Sequence, residues 1–543
     1  MSFQSFSFAI FLLVTVAVFY AVPRRLRLAV LLIANAVFFL WSDVSAGLWL
    51  LVSVLSTWAA GLQLERMGGS QRNRRAVLFA TLALNIALLA FFQYLPVWER
   101  ELNLMSALPF PVPPLDLAGR LGLAAPVGIS FYTLQAAGYL FDIYYGKYQP
   151  EQSLFRYAVY VSFFPNLLSG PIERGRHFLT QLDGVLTAKR RTLLVYDRVA
   201  QGMIGILLGF FMKLVIADRA AILVDYLYGV YQDGNSFTML MAALFYAVQI
   251  YCDFASYSCI AVGVAQLFGF ELIRNFRQPY FACGISDFWR RWHISLSSWL
   301  RDYVYIPLGG NRRGAVRKEW NLFLVFLVSG IWHGGAPTFL LWGICYGMLA
   351  AGEDLLGRAL RRAGVITEQG TGKRSREAAG GRTDSLREKF RDGQAAGKRR
   401  VRGGRHGGVA QKALAFLCRA AGVLLTFCLV SLLWVIFRSD SPEMAFTFLK
   451  NLFTRPQGFM MAREFLYVMG LNRAEFWIAV VSIALLFVLD LVSELTGKET
   501  ALWIYQSPLV LRWGVCLLLL MMVFVFGRYG HGVDASGFIY VDF

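Results

Sequence analysis

Residues 322–349 read LFLVFLVSGIWHGGAPTFLLWGICYGML, an apolar stretch with a single histidine, His333, near its middle. Ionisable side chains at membrane depth are costly, and they commonly face a cavity or a partner. Histidine is also the side chain whose ordinary pKa best suits proton transfer near neutral pH. His333 is therefore a candidate catalytic residue. The alternative is a histidine that only makes one hydrogen bond between two helices.

The composition is that of a membrane protein. Of the 543 residues, 57% are hydrophobic, whereas a soluble domain has roughly 45–50% apolar residues. The first apolar run has no basic residue before it and no small-residue cleavage site after it, which indicates a retained helix and not a signal peptide. We expect an all-α, polytopic protein with about 11–13 transmembrane or re-entrant helices. The candidate runs are 6–22, 26–41, 45–63, 76–95, 126–145, 154–169, 193–217, 236–252, 257–271, 321–333, 336–351, 413–437, 474–493 and 508–527.

The formal net charge of +19 comes largely from basic loops between apolar runs. Arginine and lysine beside membrane segments favour the cytoplasmic side, so this charge predicts topology and not nucleic-acid binding. Arginines follow the first run at 24–27 and the third at 66–75, and residues 311–318 are basic as well. This alternation predicts that the N-terminus lies outside and that residues 98–123 form an external loop. The basic cluster 189–191 does not fit it.

The chain divides into three parts by composition. Residues 1–352 form a membrane core, 353–411 are rich in Gly, Arg and Lys, and 412–543 return to apolar runs that complete the core. A segment like 353–411 cannot bury a core, which predicts a disordered cytoplasmic insertion. Because 311–318 and 353–411 are both basic, the chain between them enters the membrane and comes back. Its turn is Gly334-Gly335-Ala336-Pro337, and His333 lies at the far end of this hairpin or deep in the membrane.

A second polar pattern lies just before the hairpin. Residues 285–311 read ISDFWRRWHISLSSWLRDYVYIPLGGN. At about 100° per residue, an aromatic face and a basic face separate, the latter carrying Arg290, His293, Ser297 and Arg301. This predicts one amphipathic helix in the membrane interface. The alternative is that its basic face lines a polar entrance for phosphate or carboxylate.

Two more polar groups interrupt apolar runs. Asp253 needs a partner at membrane depth, which a nearby Arg or His would supply, and Lys213 stands close to Asp218 and Arg219. A buried structural pair explains Asp253 at least as well as catalysis does. The 7 cysteines form no Cys-x-x-Cys pair, so neither a metal site nor a disulfide framework is indicated.

Several blocks together resemble the membrane-bound O-acyltransferase family, in its bacterial alginate O-acetylase branch. The longest blocks are 287–299 and 301–311, followed by Ser329-Gly-Ile-Trp-His333. The chain departs from the usual family block at Ser256 and Cys259, where the family has Gly and Asp. The other matching blocks are PVGISFY at 126–132, FPNLLSGPI at 164–172, YCDFASY at 251–257 and SGFIYVDF at 536–543.

The resemblance implies helices around an intramembrane tunnel or funnel, in a multi-pass protein of the bacterial cell membrane. It implies an O-acetyltransferase with His333 as the catalytic base and His293 as the second histidine of the site. Acetyl-CoA is the expected acyl donor, with no bound cofactor and no metal. Candidates for donor or substrate binding are Arg290, Arg301, Asp302, Ser297, Asn311, Trp332 and Asp253.

The expected partners are membrane lipid, an extracytoplasmic acyltransferase of the SGNH type, and a polysaccharide acceptor such as an alginate-like exopolysaccharide or a cell-wall glycan. No nucleic acid is expected. Two alternatives remain open at this point. One is D-alanyl or other acyl transfer by the same fold, as in teichoic acid modification. The other is a proton-coupled transporter that uses His293, His333 and Asp253 as a relay.

Overall fold

The structure is a computed structural model, and its described part is helical. Outside that part lie residues 106–125, most of the predicted insertion (364–408), residues 457–468 and the C-terminal block 536–543. The described residues are 1, 3–41, 44–68, 70–105, 126–363, 409–456 and 469–529.

The helices follow the predicted apolar runs closely in the first half of the chain. They are α1 Phe6–Ala21, α2 Arg27–Leu40, α3 Val44–Arg66, α4 Gln71–Met105, α5 Ile129–Tyr144, α6 Leu154–Ser162, α7 Gly175–Thr187, α8 Arg190–Leu193, α9 Tyr196–Phe210, α10 Asp218–Gly229 and α11 Ser236–Leu267. A π-helical turn, Phe211–Ala217, joins α9 to α10.

The second half contains the histidines and the C-terminal helices. These are α12 Ile285–Trp289, α13 Ile294–Leu300, α14 Ala315–His333, α15 Pro337–Arg362, α16 Val409–Arg438, α17 Pro442–Thr454, α18 Arg473–Thr496, α19 Thr500–Gln506 and α20 Leu509–Phe526. Among the described residues, 8 helices are long and apolar enough to cross a membrane, and α1 is a shorter apolar helix. The all-α membrane architecture is confirmed.

The prediction of two separate segments at 236–252 and 257–271 is wrong, because α11 runs unbroken through both. The polar residues between them do not interrupt the helix, since their side chains find partners inside the protein. The Ser256 hydroxyl donates to the Asp253 carbonyl at 2.6 Å, and the Asp253 carboxylate accepts from Lys213 at 2.6 Å. Helix α11 consequently forms the buried centre of the bundle.

The boundary of the insertion is set by α15, which continues ten residues past residue 352 to Arg362. Ion pairs hold this extension against the start of α14. Lys318 binds Asp354 at 2.5 Å, and Arg358 binds Glu319 at 2.5 Å. The basic sequence beyond Ala363 lies outside the described residues, so the disorder predicted for it stays a prediction.

The basic cluster 189–191 lies beside the arginines that follow α1. Arg24 donates to the Thr187 carbonyl at 3.0 Å. Arg27 donates to the carbonyls of Val185 and Ala188, both at 2.8 Å. The cluster therefore belongs to the same side of the bundle as residues 24–27. Helix α7 has 13 residues and is not among the described helices long enough to cross a membrane, so a simple alternation of spans does not place the cluster that follows it.

Candidate active site

The hairpin that carries His333 is confirmed. Helices α14 and α15 pack along their length, and small residues allow the close approach. A Cβ on Gly330 would lie 2.5 Å from the Phe339 carbonyl oxygen, and one on Gly343 would lie 2.6 Å from that of Phe326. Helix α14 ends at Gly334, whose φ of 153° favours glycine. His333 is therefore the last helical residue before the turn.

His333 is 3% exposed and enclosed by aromatic rings. The imidazole meets Trp342 edge-on at 5.2 Å between ring centroids and Phe437 at 5.3 Å. Phe437 comes from α16, which lies beyond the insertion, and Phe339 packs against it at 4.9 Å. The side chain thus sits where three helices meet, and the C-terminal part of the chain completes its surroundings.

The prediction of one continuous amphipathic helix within 285–311 is wrong. The chain breaks into α12 and α13 at His293, which has a φ of 42° and is buried with 1% exposure. A positive φ is uncommon for a residue other than glycine, and histidine is among the residues enriched there. The break turns His293 into the core, away from the exposed Arg290 and Arg301 with which the periodicity had grouped it.

A distant segment explains this break. The Asn275 carbonyl accepts from the Ile294 amide at 2.9 Å. The Asn275 side-chain oxygen accepts from the Ser295 hydroxyl at 2.6 Å. Ser295 in turn accepts from the Ile172 amide at 3.0 Å. These bonds satisfy the first turn of α13, so a new helix starts directly after His293.

The predicted aromatic face of 285–305 packs inside the protein and not at a lipid surface. Trp292 is 1% exposed, and its ring lies 4.9 Å from Trp434 and 5.0 Å from Phe276. The helical period correctly grouped these aromatic side chains on one apolar face. Only the environment of the face was wrong, because an apolar stripe packs equally well against lipid or protein.

Trp332 packs against both histidines. Its ring centroid is 4.9 Å from that of His333 and 6.2 Å from that of His293. The indole nitrogen donates to the Ser130 carbonyl at 3.3 Å. Phe131 packs on both His293 and Trp332, at 6.2 and 5.7 Å. The block PVGISFY therefore supplies part of the wall around the indole and His293.

Helix α4 fixes the end of α14. Gln93 donates to the Trp332 carbonyl at 2.7 Å, and Tyr94 donates to the Ile331 carbonyl at 2.8 Å. The last carbonyls of a helix have no partner within it. These two bonds supply partners for the carbonyls of Trp332 and Ile331, and they fix the position of His333 along α4.

Three of the predicted donor-binding residues, Arg301, Asp302 and Asn311, make their contacts away from the histidines. Asp302 binds Arg301 at 2.9 Å and Arg174 at 3.2 Å. Asn311 accepts from the Tyr305 hydroxyl. Arg301 follows His293 by eight residues, which corresponds to roughly 12 Å of helical rise. The structure thus brings Arg301 and Asp302 together at one end of α13, and it places Trp332 with the histidines at the other.

Asp253 binds a lysine, whereas an arginine or a histidine was expected. Lys213, in the π-helical turn, binds Asp253 at 2.6 Å and Asp218 at 3.0 Å. All three are at most 5% exposed. The two polar sites that the sequence analysis treated separately form one buried ion cluster.

Ser297 also has a local role, since its hydroxyl donates to the Trp292 carbonyl at 3.4 Å.

Comparisons with known proteins decide the family. Residues 151–370 match the model of the membrane-bound O-acyltransferase family. A probable alginate O-acetylase of Pseudomonas putida is 35% identical over 349 residues, which cover 64% of this chain and 69% of the relative.

This chain belongs to the membrane-bound O-acyltransferase family.

Two further relatives carry other names within the family. A peptidoglycan O-acetyltransferase of Helicobacter pylori is 32% identical over 356 residues, covering 61% of this chain and 65% of the relative. A teichoic acid D-alanyltransferase of Bacillus subtilis is 30% identical over 233 residues, covering 41% and 57%. About a third or more of each relative's length is thus unmatched. The predicted enzyme class, an O-acyltransferase, and the multi-pass membrane location are confirmed.

Sequence reasoning missed two residues that position the site of this O-acyltransferase. Asn275 had no motif around it. Arg291 stood beside Arg290 on the helical pattern, yet it is 8% exposed and binds Glu494 at 2.7 Å and Asp287 at 3.1 Å. The i,i+4 spacing of Asp287 and Arg291 was a usable signal. Nothing local pointed to Glu494 or to Asn275.

Proposed function

We propose that this protein is a membrane O-acetyltransferase that takes the acetyl group of cytoplasmic acetyl-CoA and delivers it across the membrane for O-acetylation of an extracytoplasmic polysaccharide. One observation carries the proposal. Two buried histidines pack against the same indole at the end of a membrane hairpin, where α14 meets α15. In this arrangement His333 is the catalytic base and His293 is the second histidine of the site.

Acyl transfer sets the chemical requirements. A base takes the proton of the acceptor hydroxyl, the oxygen attacks the thioester carbonyl, and the CoA thiolate leaves from the tetrahedral intermediate. His333 takes that proton in our proposal. His293, which packs against the same Trp332 ring, donates to the thioester carbonyl or passes the proton on. Acetyl-histidine as a covalent intermediate is a variant of the same scheme.

The enclosure of both imidazoles supports chemistry that excludes water. A site closed by aromatic rings protects a thioester from hydrolysis, and it strengthens the electrostatic interactions within it. The rings of Trp332, Phe339 and Phe437 surround His333. Donor and acceptor therefore reach the imidazole only when one of these rings moves.

The two ends of the hairpin support transfer between two sides. The basic residues 312–318 stand at the start of α14, and His333 follows Arg317 by sixteen residues, roughly 24 Å of rise. That is close to the roughly 30 Å thickness of a bilayer core. The donor enters from the basic end in our proposal, with Arg290, Arg301 and Arg312 attracting the phosphates of CoA.

The acceptor and the partner rest on the named relatives. The enzymes of Pseudomonas putida and Helicobacter pylori are named for alginate and peptidoglycan, and both are polymers found outside the cytoplasmic membrane. We propose a glycan of this class as the final acceptor. An extracytoplasmic acyltransferase of the SGNH type receives the acetyl group first.

The teichoic acid D-alanyltransferase of Bacillus subtilis makes D-alanyl transfer the second candidate. D-alanyl transfer needs the same base and forms the same kind of oxyanion. The acyl donor therefore distinguishes D-alanyl transfer from acetyl transfer. The transporter alternative loses support because the Asp253 carboxylate binds Lys213 and is committed to the ion cluster.

The test is transfer of label from acetyl-CoA. Purified full-length protein in lipid nanodiscs receives labelled acetyl-CoA, and thioester consumption is followed over time. We expect His333→Ala to lower the rate by a factor of about 100 or more, the range typical for loss of a general base. His406→Ala, which removes an imidazole from the predicted insertion, is the matched control and keeps the wild-type rate.

Two outcomes would contradict the proposal. Equal rates for wild type and His333→Ala, at equal amounts of folded protein, remove His333 as the base. Consumption of a D-alanyl thioester in preference to acetyl-CoA replaces the proposed donor by that of the second candidate.

A further inference from the structure

A cavity of about 1140 Å³ lies at the ends of α1 and α7, away from the two histidines. Its polar lining is dominated by arginines: Arg24, Arg25, Arg27 and Arg190. Among the residues that line it there is no aspartate or glutamate. A concave surface with four guanidinium groups and no carboxylate concentrates anions.

The cavity lies at the level where the membrane helices end. Tyr20, in the last turn of α1, lines it and donates to the carbonyl of Leu267 at 2.7 Å. Leu267 is the last residue of α11. Tyrosine is enriched at the membrane–water interface, and two apolar helices finish at this point. The cavity is therefore at headgroup depth.

The lining is apolar on the side that faces the helices. Val22, Pro23, Leu28 and Leu186 line it together with the arginines. Below it on α1, Val14 and Val18 are exposed and form a surface for acyl chains. An amphipathic lining of this kind fits a phosphate group that is attached to a lipid better than it fits a small soluble anion.

The four arginines differ in what they already bind. Arg27 is 2% exposed and donates to the carbonyls of Val185 and Ala188, so it holds α2 to the end of α7. Arg24 donates to the Thr187 carbonyl. Arg25 and Arg190 are exposed and line the cavity. These two are the guanidinium groups that reach a ligand without breaking the fold.

We propose that this cavity binds the phosphate of an anionic phospholipid headgroup, with Arg25 and Arg190 as its principal ligands. Guanidinium binds phosphate through two parallel hydrogen bonds. Basic groups at a negatively charged membrane surface add to that attraction. The site would also keep the adjoining loops on the anionic face of the membrane. This inference is independent of the proposed acyl transfer.

The test is lipid retention by the full chain. Purified protein in detergent is mixed with equal amounts of phosphatidylglycerol and phosphatidylcholine, and bound lipid is counted by native mass spectrometry. We expect a preference for phosphatidylglycerol that falls roughly twenty-five-fold in Arg25→Gln/Arg190→Gln, since each basic residue near an anionic surface contributes about a five-fold factor. The control, Arg66→Gln/Arg72→Gln, removes two exposed arginines outside the cavity and keeps the preference.

Three results would overturn the site. They are an equal loss in both double variants, no loss in either, and complete displacement of phosphatidylglycerol by inorganic phosphate, which would identify a soluble phosphate as the ligand. A salt titration of the wild type keeps the test decisive if a variant fails to fold. Rising ionic strength is expected to release phosphatidylglycerol and not phosphatidylcholine, and equal release of both would contradict the proposal.

Discussion

Lys213 has two carboxylates around it in the core of a membrane protein, and this arrangement explains why three ionisable residues are tolerated there. The ammonium binds Asp253 at 2.6 Å and Asp218 at 3.0 Å. Burial of an unpaired charge is costly, while a paired one is tolerated. The sequence showed that each residue needed a partner. It did not show which one, because Lys213 and Asp253 are forty positions apart and meet only through the packing of the π-helical turn on α11.

The cluster predicts unequal effects of its substitutions. Lys213→Met leaves two buried carboxylates without their cation, and we expect it to destabilise the fold by about 3–5 kcal/mol. Asp253→Asn leaves Lys213 paired with Asp218, so its effect should be smaller. Thermal unfolding of both purified variants in the same detergent checks the order. If Asp253→Asn proved the more damaging substitution, the carboxylate would have a role that this ion cluster does not explain.

His177, on the basic side of the bundle, makes a pH-dependent contribution to the stability of the fold. Its imidazole binds the Glu173 carboxylate at 2.8 Å, and this hydrogen bond raises the pKa of His177 above its ordinary value of 6.5. A raised folded-state pKa means that the stabilisation is fully present below pH 6.5 and is lost as the pH rises through the folded value.

The measurement compares the thermal midpoints of wild type and His177→Gln across pH 5 to 9. We expect the wild type to be more stable at the acid end, with a difference that shrinks toward the alkaline end. A difference that grew with pH would mean that neutral His177 is the stabilising form.

At the level of helices, the break at His293 separates what local sequence determines from what it does not. Periodicity correctly showed that Phe288, Trp292 and Leu296 belong together, and all three are buried. It also placed His293 on the opposite, solvated face, which is wrong. The cause is Asn275, from a loop segment with no periodic signal. The hairpin at Gly334 was predictable, because glycine and proline mark a turn locally.

Asn275 is therefore expected to act on catalysis by positioning His293. Asn275→Ala removes the acceptor for the Ser295 hydroxyl, which frees the backbone at the residue that sets the direction of the imidazole. Small displacements of a catalytic group lower rates steeply, and we expect a loss of roughly ten-fold or more in acetyl transfer. Asn275→Asp keeps the acceptor but loses the amide that donates to Ser258 at 3.2 Å, so it should restore only part of the rate.

Both Asn275 variants are compared at equal amounts of folded protein, with the maximal rate and the Michaelis constant for acetyl-CoA measured separately. A positioning role lowers the maximal rate more than it changes the Michaelis constant. Equal activity of Asn275→Ala and wild type would show that α13 holds His293 without this bond.

For the molecule as a whole, the question is whether the basic residues and the histidine site face different sides of the membrane. Helix α4 begins among arginines at 72–75, and its residues Gln93 and Tyr94 bind the end of α14. Helix α14 likewise begins after basic residues and ends at His333. The two helices thus run in the same direction, from the basic end to the histidine end. Hydropathy and charge predicted this sidedness, and the α4–α14 contact, which sequence could not supply, supports it independently.

Two cysteine reporters test the sidedness in a background without the native cysteines. Arg72→Cys lies at the start of α4, on the basic side, and Trp41→Cys lies at the far end of α2; both positions are exposed. A membrane-impermeant thiol reagent should label Trp41→Cys in intact spheroplasts and Arg72→Cys only in inverted vesicles. Labelling of both from one side would place the two ends of the bundle on the same face. Transfer of an acetyl group from a cytoplasmic donor to an outer acceptor would then need a route other than the α14–α15 hairpin, because that hairpin would no longer lead from one compartment to the other.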